Sequence, residues 1–164
     1  MTRLDRRIAP LVGGLVALML LTLGMFACTE ADDDPTLVAP PSLTITDAVV
    51  AVPAGANTAA YLTITNDGAG GDRILSAGST IGARVELHET RADDDGLMRM
   101  HPVDSVELPA ESEVRFEPGG LHIMVFDVAE LVDGDLVELE LEFERSGPVT
   151  LEAVVATYTS IHGH

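Results

Sequence analysis

Leu136-Val137-Glu138-Leu139-Glu140-Leu141-Glu142-Phe143-Glu144 is the stretch that decides the fold class. Apolar and acidic residues alternate one for one. On a strand, successive side chains point to opposite faces. Val137, Leu139, Leu141 and Phe143 then share one face, and Glu138, Glu140, Glu142 and Glu144 share the other. That is the pattern of a half-buried antiparallel strand with a wet face. The glutamates form a solvated surface rather than a catalytic row.

Reading outward, the same period recurs. Downstream, Val149 to Tyr158 closes the domain. Upstream, Leu121 to Phe126, Glu113 to Phe116 and Val103 to Leu108 are short strands around Pro109. Leu97 to Met100 returns from the tight turn Asp93-Asp94-Asp95-Gly96, which follows the strand Val85-Glu86-Leu87-His88. Ala60 to Thr65 ends in the turn Asn66-Asp67-Gly68, and Leu43 to Thr46 opens the series. Val, Thr, Leu and Ile broken by Gly and Pro complete an all-β chain. Some eight or nine strands at this spacing imply a sandwich or barrel.

The 164 residues suffice for one domain. Nine arginines and no lysine face 27 acidic residues, for a net charge of -18. Nucleic-acid binding needs clustered basic residues, so that class is excluded. Cys28 is the single cysteine, which excludes a disulfide within the chain.

Residues 1–27 read as a charged segment with Arg3, Arg6 and Arg7, then an apolar run from Ile8 to Ala27. This is the pattern of an export signal, and it is also just long enough to span a bilayer. Cys28 follows the apolar run directly, as in a bacterial lipoprotein signal, where the cysteine becomes the lipidated first residue. The alternative is an uncleaved membrane anchor. Either way the domain is expected to be exported and tethered at the extracytoplasmic, periplasmic face of a membrane. Residues 28–41, acidic and Pro-containing, read as a flexible linker with a reach on the order of 20 Å. The folded domain is expected over residues 42–160, with a His-containing tail at 161–164.

Four residues carry the chemistry. In Gly119-Gly120-Leu121-His122-Ile123-Met124, His122 and Met124 lie two apart on a strand and so point the same way. An imidazole beside a thioether is a good pair of soft metal ligands. His88 ends a strand, and Met100 lies on the return arm of the following hairpin. Two arms of a hairpin and a neighbouring strand can converge at one end of a sandwich.

The spacing is His88, eleven residues, Met100, twenty-one residues, His122, one residue, Met124. This resembles the signature of the bacterial periplasmic copper chaperone family PCuAC. Ala59 to Asn66, Val85 to Glu89 and Pro118 to Met124 look like the same family, and the likeness covers roughly residues 43–158. Many members carry Met directly after the first His, where this chain has Glu89. The resemblance implies a cupredoxin-like β-sandwich. It implies one Cu(I) held by His88, Met100, His122 and Met124, and copper delivery to a copper-accepting oxidase subunit, at the copper centre of cytochrome c oxidase, or to another chaperone. Soft Cu(I) favours thioether sulfur and imidazole nitrogen, whereas Zn(II) and hard cations prefer thiolate or carboxylate. Transfer by stepwise ligand exchange needs no catalysis, so the chain is not expected to be an enzyme.

Other residues have plainer readings. Met98 shares a strand face with Met100 and is a reserve sulfur. His101 points away from Met100 and reads as a surface residue. His162 and His164 read as a tail that could add a weak Cu(II) or Zn(II) site. Asp93 to Gly96 lacks the distal Glu of a calcium loop and reads as a turn. The competing function is a membrane-tethered lipoprotein with a structural, adhesive or metal-scavenging role. A redox enzyme is disfavoured by the lack of Cys-x-x-Cys, and blue-copper electron transfer by the lack of a cysteine in the domain.

Overall fold

The computed structural model describes residues 39–157. The export segment, Cys28, Tyr158 and the tail histidines His162 and His164 lie outside the described residues.

Ten strands make up the described chain, with no helix among them: β1 (Leu43–Ala51), β2 (Asn57–Asn66), β3 (Asp72–Ser79), β4 (Arg84–Ala92), β5 (Met98–Pro102), β6 (Val106–Leu108), β7 (Ser112–Phe116), β8 (Leu121–Phe126), β9 (Leu136–Phe143) and β10 (Gly147–Ala156). They form one curled sheet in the order β5-β4-β8-β7-β2-β1-β10-β9-β3-β6, with a further pairing of β8 to β2. All ladders are antiparallel except β1 with β10 and β7 with β8. The sheet folds over on itself, bringing β3 beside β4. This curled, half-closed sheet is the all-β architecture that the alternation implies, and it has the cupredoxin-like form that the resemblance implies.

The core lines the inside of the curl. Val137, Leu139, Leu141 and Phe143 of β9 are buried, while Glu138 and Glu140 between them are exposed. On β2 the same period buries Ala60, Leu62 and Ile64. Register then joins the layers: Leu141 pairs with Val149 on β10 and with Ala77 on β3. Burying a Leu or Ile side chain contributes about 1.5–3 kcal/mol, so these rows dominate the stability of the sheet.

The structure departs from the sequence reading in its element list. β3 had no counterpart in it. Its sequence, DRILSAGS, is short of apolar residues, and only Ile74 is a fully buried anchor. The expected strand Val103 to Leu108 shrinks to β6, because Val103 closes the β4–β5 ladder with its N–H on the Leu87 carbonyl. β1 runs on to Ala51 through a bulge after Thr46, where Asp47 takes φ 55°.

Two buried polar side chains fasten the irregular parts. Asn66 ends β2 almost wholly buried. Its Oδ1 accepts the N–H groups of Ser42 and Gly68, and its Nδ2 donates to the carbonyls of Gly70, Leu108 and Pro109. Asp72, also buried, accepts from the N–H groups of Arg73, Arg145 and Ser146 and from the Ser146 hydroxyl. Residues 39–41, which the composition groups with the spacer, are tied to the domain. The Ala39 carbonyl accepts from Arg145, and the Pro40 carbonyl from the Gly70 N–H.

Candidate metal centre

β4 lies between β5 and β8, and its register with both places the four candidates. His88 stands directly opposite His122. Their ring centroids are 5.7 Å apart and tilted by 50°. Met124, two residues further along β8, faces Glu86. On the other side of β4, Met100 faces Thr90, two residues from His88. Because side chains alternate, His88, Met100, His122 and Met124 project from one face of three neighbouring strands. Leu87 and Ile123 project from the opposite face into the core.

The four are not equivalent in exposure. His122 and His88 are buried, at 3% and 9%, and Met124 is half-buried. Met100 is 57% exposed on β5, an edge of the sheet. It sits two strands from β8, roughly 10 Å across the ladder. The structure therefore brings His88, His122 and Met124 into one cluster and stands Met100 at its rim.

Each imidazole is gripped on one nitrogen only. His88 Nε2 lies 2.8 Å from Glu86 Oε2, and His122 Nδ1 lies 3.1 Å from the Gly120 carbonyl oxygen. The remaining nitrogens, His88 Nδ1 and His122 Nε2, are buried with no hydrogen-bond partner. An unmatched buried acceptor costs about 1–3 kcal/mol. Two of them in adjoining rings are what a site for a nitrogen-seeking metal requires. Burial holds the His122 imidazole below its ordinary range, helped by the neighbouring His88 and opposed by the Gly120 hydrogen bond. Its lone pair is thus free at neutral pH.

Local sequence explains these positions. Pro118 and Gly119 are the central residues of a turn in which the Gly120 N–H bonds the Glu117 carbonyl at 3.0 Å. Gly119 has φ +85°, as the third position of a type II turn demands. The turn launches β8 and aims the Gly120 carbonyl, which also accepts from the Thr90 N–H. At the β4–β5 hairpin, Asp93 Oδ1 accepts from the N–H groups of Asp95 and Leu97, and its other oxygen pairs with Arg99. The acidic run is therefore a turn, and it sets the register that carries Met100.

Glu86 was not among the candidates. It lies two residues before His88 on the same face, and Glu-x-His on a strand was the available signal. Arg84 grips its second oxygen and stacks over the Phe126 ring at 3.8 Å. The His88 hydrogen bond and then Arg84 keep the Glu86 carboxyl below the usual carboxylate range against the effect of burial. His101 faces Glu89 on the other side of the ladder from Met100. It is half-buried with Nε2 enclosed and unpartnered, rather than the surface residue its position suggested. Met98 shares the Met100 face at 64% exposure. Among the described residues, no group of three or more His, Cys, Asp or Glu is placed to hold a metal, so a hard-ligand site is not assembled.

A family model described as "Putative lipoprotein LpqE-like" matches residues 43–155, all of the sheet but its last residue. The chain belongs to the LpqE-like family. A relative of this LpqE-like chain, "Putative lipoprotein Lxx21020" of Leifsonia xyli subsp. xyli, is 30% identical over 87 residues. The match spans about half of each protein, 52% of both. Among solved structures, the copper-bound PCuAC domain from PmoF2 superposes with a TM-score of 0.58 at 24% identity, over 70% of this chain and 92% of that one. The apo PCuAC domain from PmoF1 gives 0.59 at 24% identity, over 70% and 93%. The Cu(I) form of DR1885 from Deinococcus radiodurans gives 0.55 at 22%, over 82% and 89%. The resemblance to PCuAC domains read from the motif thus holds at the level of the fold.

Proposed function

We propose that the domain is an extracytoplasmic copper carrier that binds one Cu(I) through His88, Met100, His122 and Met124. The observation that carries this reading is the pair of facing imidazoles, each with one buried nitrogen lacking a partner, beside Met124 and below Met100. Nitrogen and thioether donors without thiolate or carboxylate suit a monovalent soft ion. The copper-bound and Cu(I) structures of similar fold support the same choice.

Cargo release follows from the placement of Met100. It is the exposed ligand on an edge strand, so it is the first that an acceptor's donor atoms can replace. The buried imidazoles then hold the ion until the exchange is complete. Having no covalent step to perform, the chain acts as a carrier rather than an enzyme. The copper centre of cytochrome c oxidase is the proposed recipient, and a lipidated Cys28 or an N-terminal helix the proposed tether. The lipoprotein names of the family and of the Leifsonia relative support an anchored, exported location. His162 and His164 are proposed to add a weaker Cu(II) site.

Competitive titration against a Cu(I) chelator tests the central claim. One equivalent should bind. His122→Ala should abolish stoichiometric binding, Met124→Leu should weaken it about 10–100-fold, and Met100→Leu should mainly speed transfer to an acceptor. A wild-type protein that takes up no Cu(I) would favour a structural or adhesive lipoprotein instead.

A further inference from the structure

We propose that the two imidazoles take copper through unlike nitrogens, Nδ1 of His88 and Nε2 of His122, and that Glu86 is the positioning residue that imposes this on His88. The inference rests on the Cu(I) reading above. A neutral imidazole carries one N–H and one lone pair. A carboxylate and a carbonyl oxygen can only accept. The 2.8 Å contact with Glu86 Oε2 therefore puts the hydrogen of His88 on Nε2. The 3.1 Å contact with the Gly120 carbonyl puts that of His122 on Nδ1. The lone pairs are then on His88 Nδ1 and His122 Nε2, the two buried ring nitrogens of the pair that have no partner.

Glu86 is itself held in place. Arg84 binds its other oxygen, and Arg84 rests on Phe126, whose ring lies 6.1 Å from that of His88. The relay Arg84, Glu86, His88 runs along one face of β4. A carboxylate on the distal nitrogen orients the ring and raises its basicity toward a metal. The two histidines consequently differ in dependence. His122 relies on a main-chain carbonyl that no side-chain substitution deletes, and His88 relies on one carboxylate.

The test uses the full chain in detergent, labelled with 15N at histidine, and long-range proton–nitrogen correlation with and without one equivalent of Cu(I). The apo spectrum should show His88 protonated at Nε2 and His122 at Nδ1. Cu(I) should shift His88 Nδ1 and His122 Nε2 and leave the other two nitrogens protonated. Glu86→Ala should let His88 populate both tautomers and raise the Cu(I) dissociation constant about 10–100-fold, with His122 unchanged. Glu86→Gln, which keeps an acceptor, should restore the tautomer and most of the affinity. Copper shifting Nε2 of His88, or wild-type tautomer and affinity in Glu86→Ala, overturns this inference alone. No Cu(I) shift in the wild type overturns it together with the carrier reading.

Discussion

Asp72 shows how one side chain couples this fold to pH. Burial alone would push its carboxyl up. The Ser146 hydroxyl and the N–H groups of Arg73, Arg145 and Ser146 outweigh that and hold it below the ordinary aspartate value of 3.8. A group with a depressed folded pKa binds fewer protons in the folded state than in the unfolded one. Its contribution is therefore complete above about pH 4 and disappears as pH falls through the folded value. Asp72→Asn should lower stability at neutral pH by about 2 kcal/mol and flatten the loss on acidification below about pH 4, as followed by denaturant unfolding. A variant with the wild-type acid limb would show that other carboxylates govern it. The same scale separates what is legible in the site. His88, Met100, His122 and Met124 stand out by residue type and spacing. Glu86 does not: alternation puts it on the His88 face, but only the tertiary structure, with Arg84 on its other oxygen, turns its carboxylate onto His88 Nε2.

At the scale of the element, the turn before β8 governs the site more than the strand itself. A Cβ at Gly119 would meet nothing within 4 Å, so any cost of substitution is conformational. At φ +85° a β-branched residue is strained by about 1–2 kcal/mol. Gly119→Val should lower the melting temperature by about 5 °C and weaken Cu(I) binding by displacing the Gly120 carbonyl. Gly119→Asn should do less, since Asn tolerates this region better. Equal melting temperatures for the two variants would contradict the turn assignment. Elements with strict alternation and apolar anchors were readable in advance: β2, β8 and β9 fall where the pattern puts them. β3 was not, because Ser76, Gly78 and Ser79 offer little to bury. It is held instead by its pairing with β9 and β6 and by the Asp72 cluster.

For the whole molecule, the curl of the sheet makes ends distant in sequence cooperate. The Asn66 amide ties Ser42, Gly70 and Pro109 together, and Arg145 reaches back to Ala39. A chain starting at residue 43 should therefore unfold at lower denaturant than one starting at 38. The difference should be about 1–2 kcal/mol, from the lost Ser42, Pro40 and Ala39 partners. Identical midpoints would show that residues 39–42 contribute nothing to the fold.

Alternation of side chains, the turn-forming glycines and the soft-ligand motif are local properties. A chain carrying them is committed to strands, tight turns and a His/Met donor set whatever surrounds it. The facing of His88 with His122, the exposure of Met100 and the selection of Glu86 belong to the tertiary structure. They depend on which strands become neighbours and in what register. Register is decided by burial of the opposite face, through Leu87 and Ile123 in the core, and a slip of one residue in β4 or in β8 would turn that strand's imidazole inward.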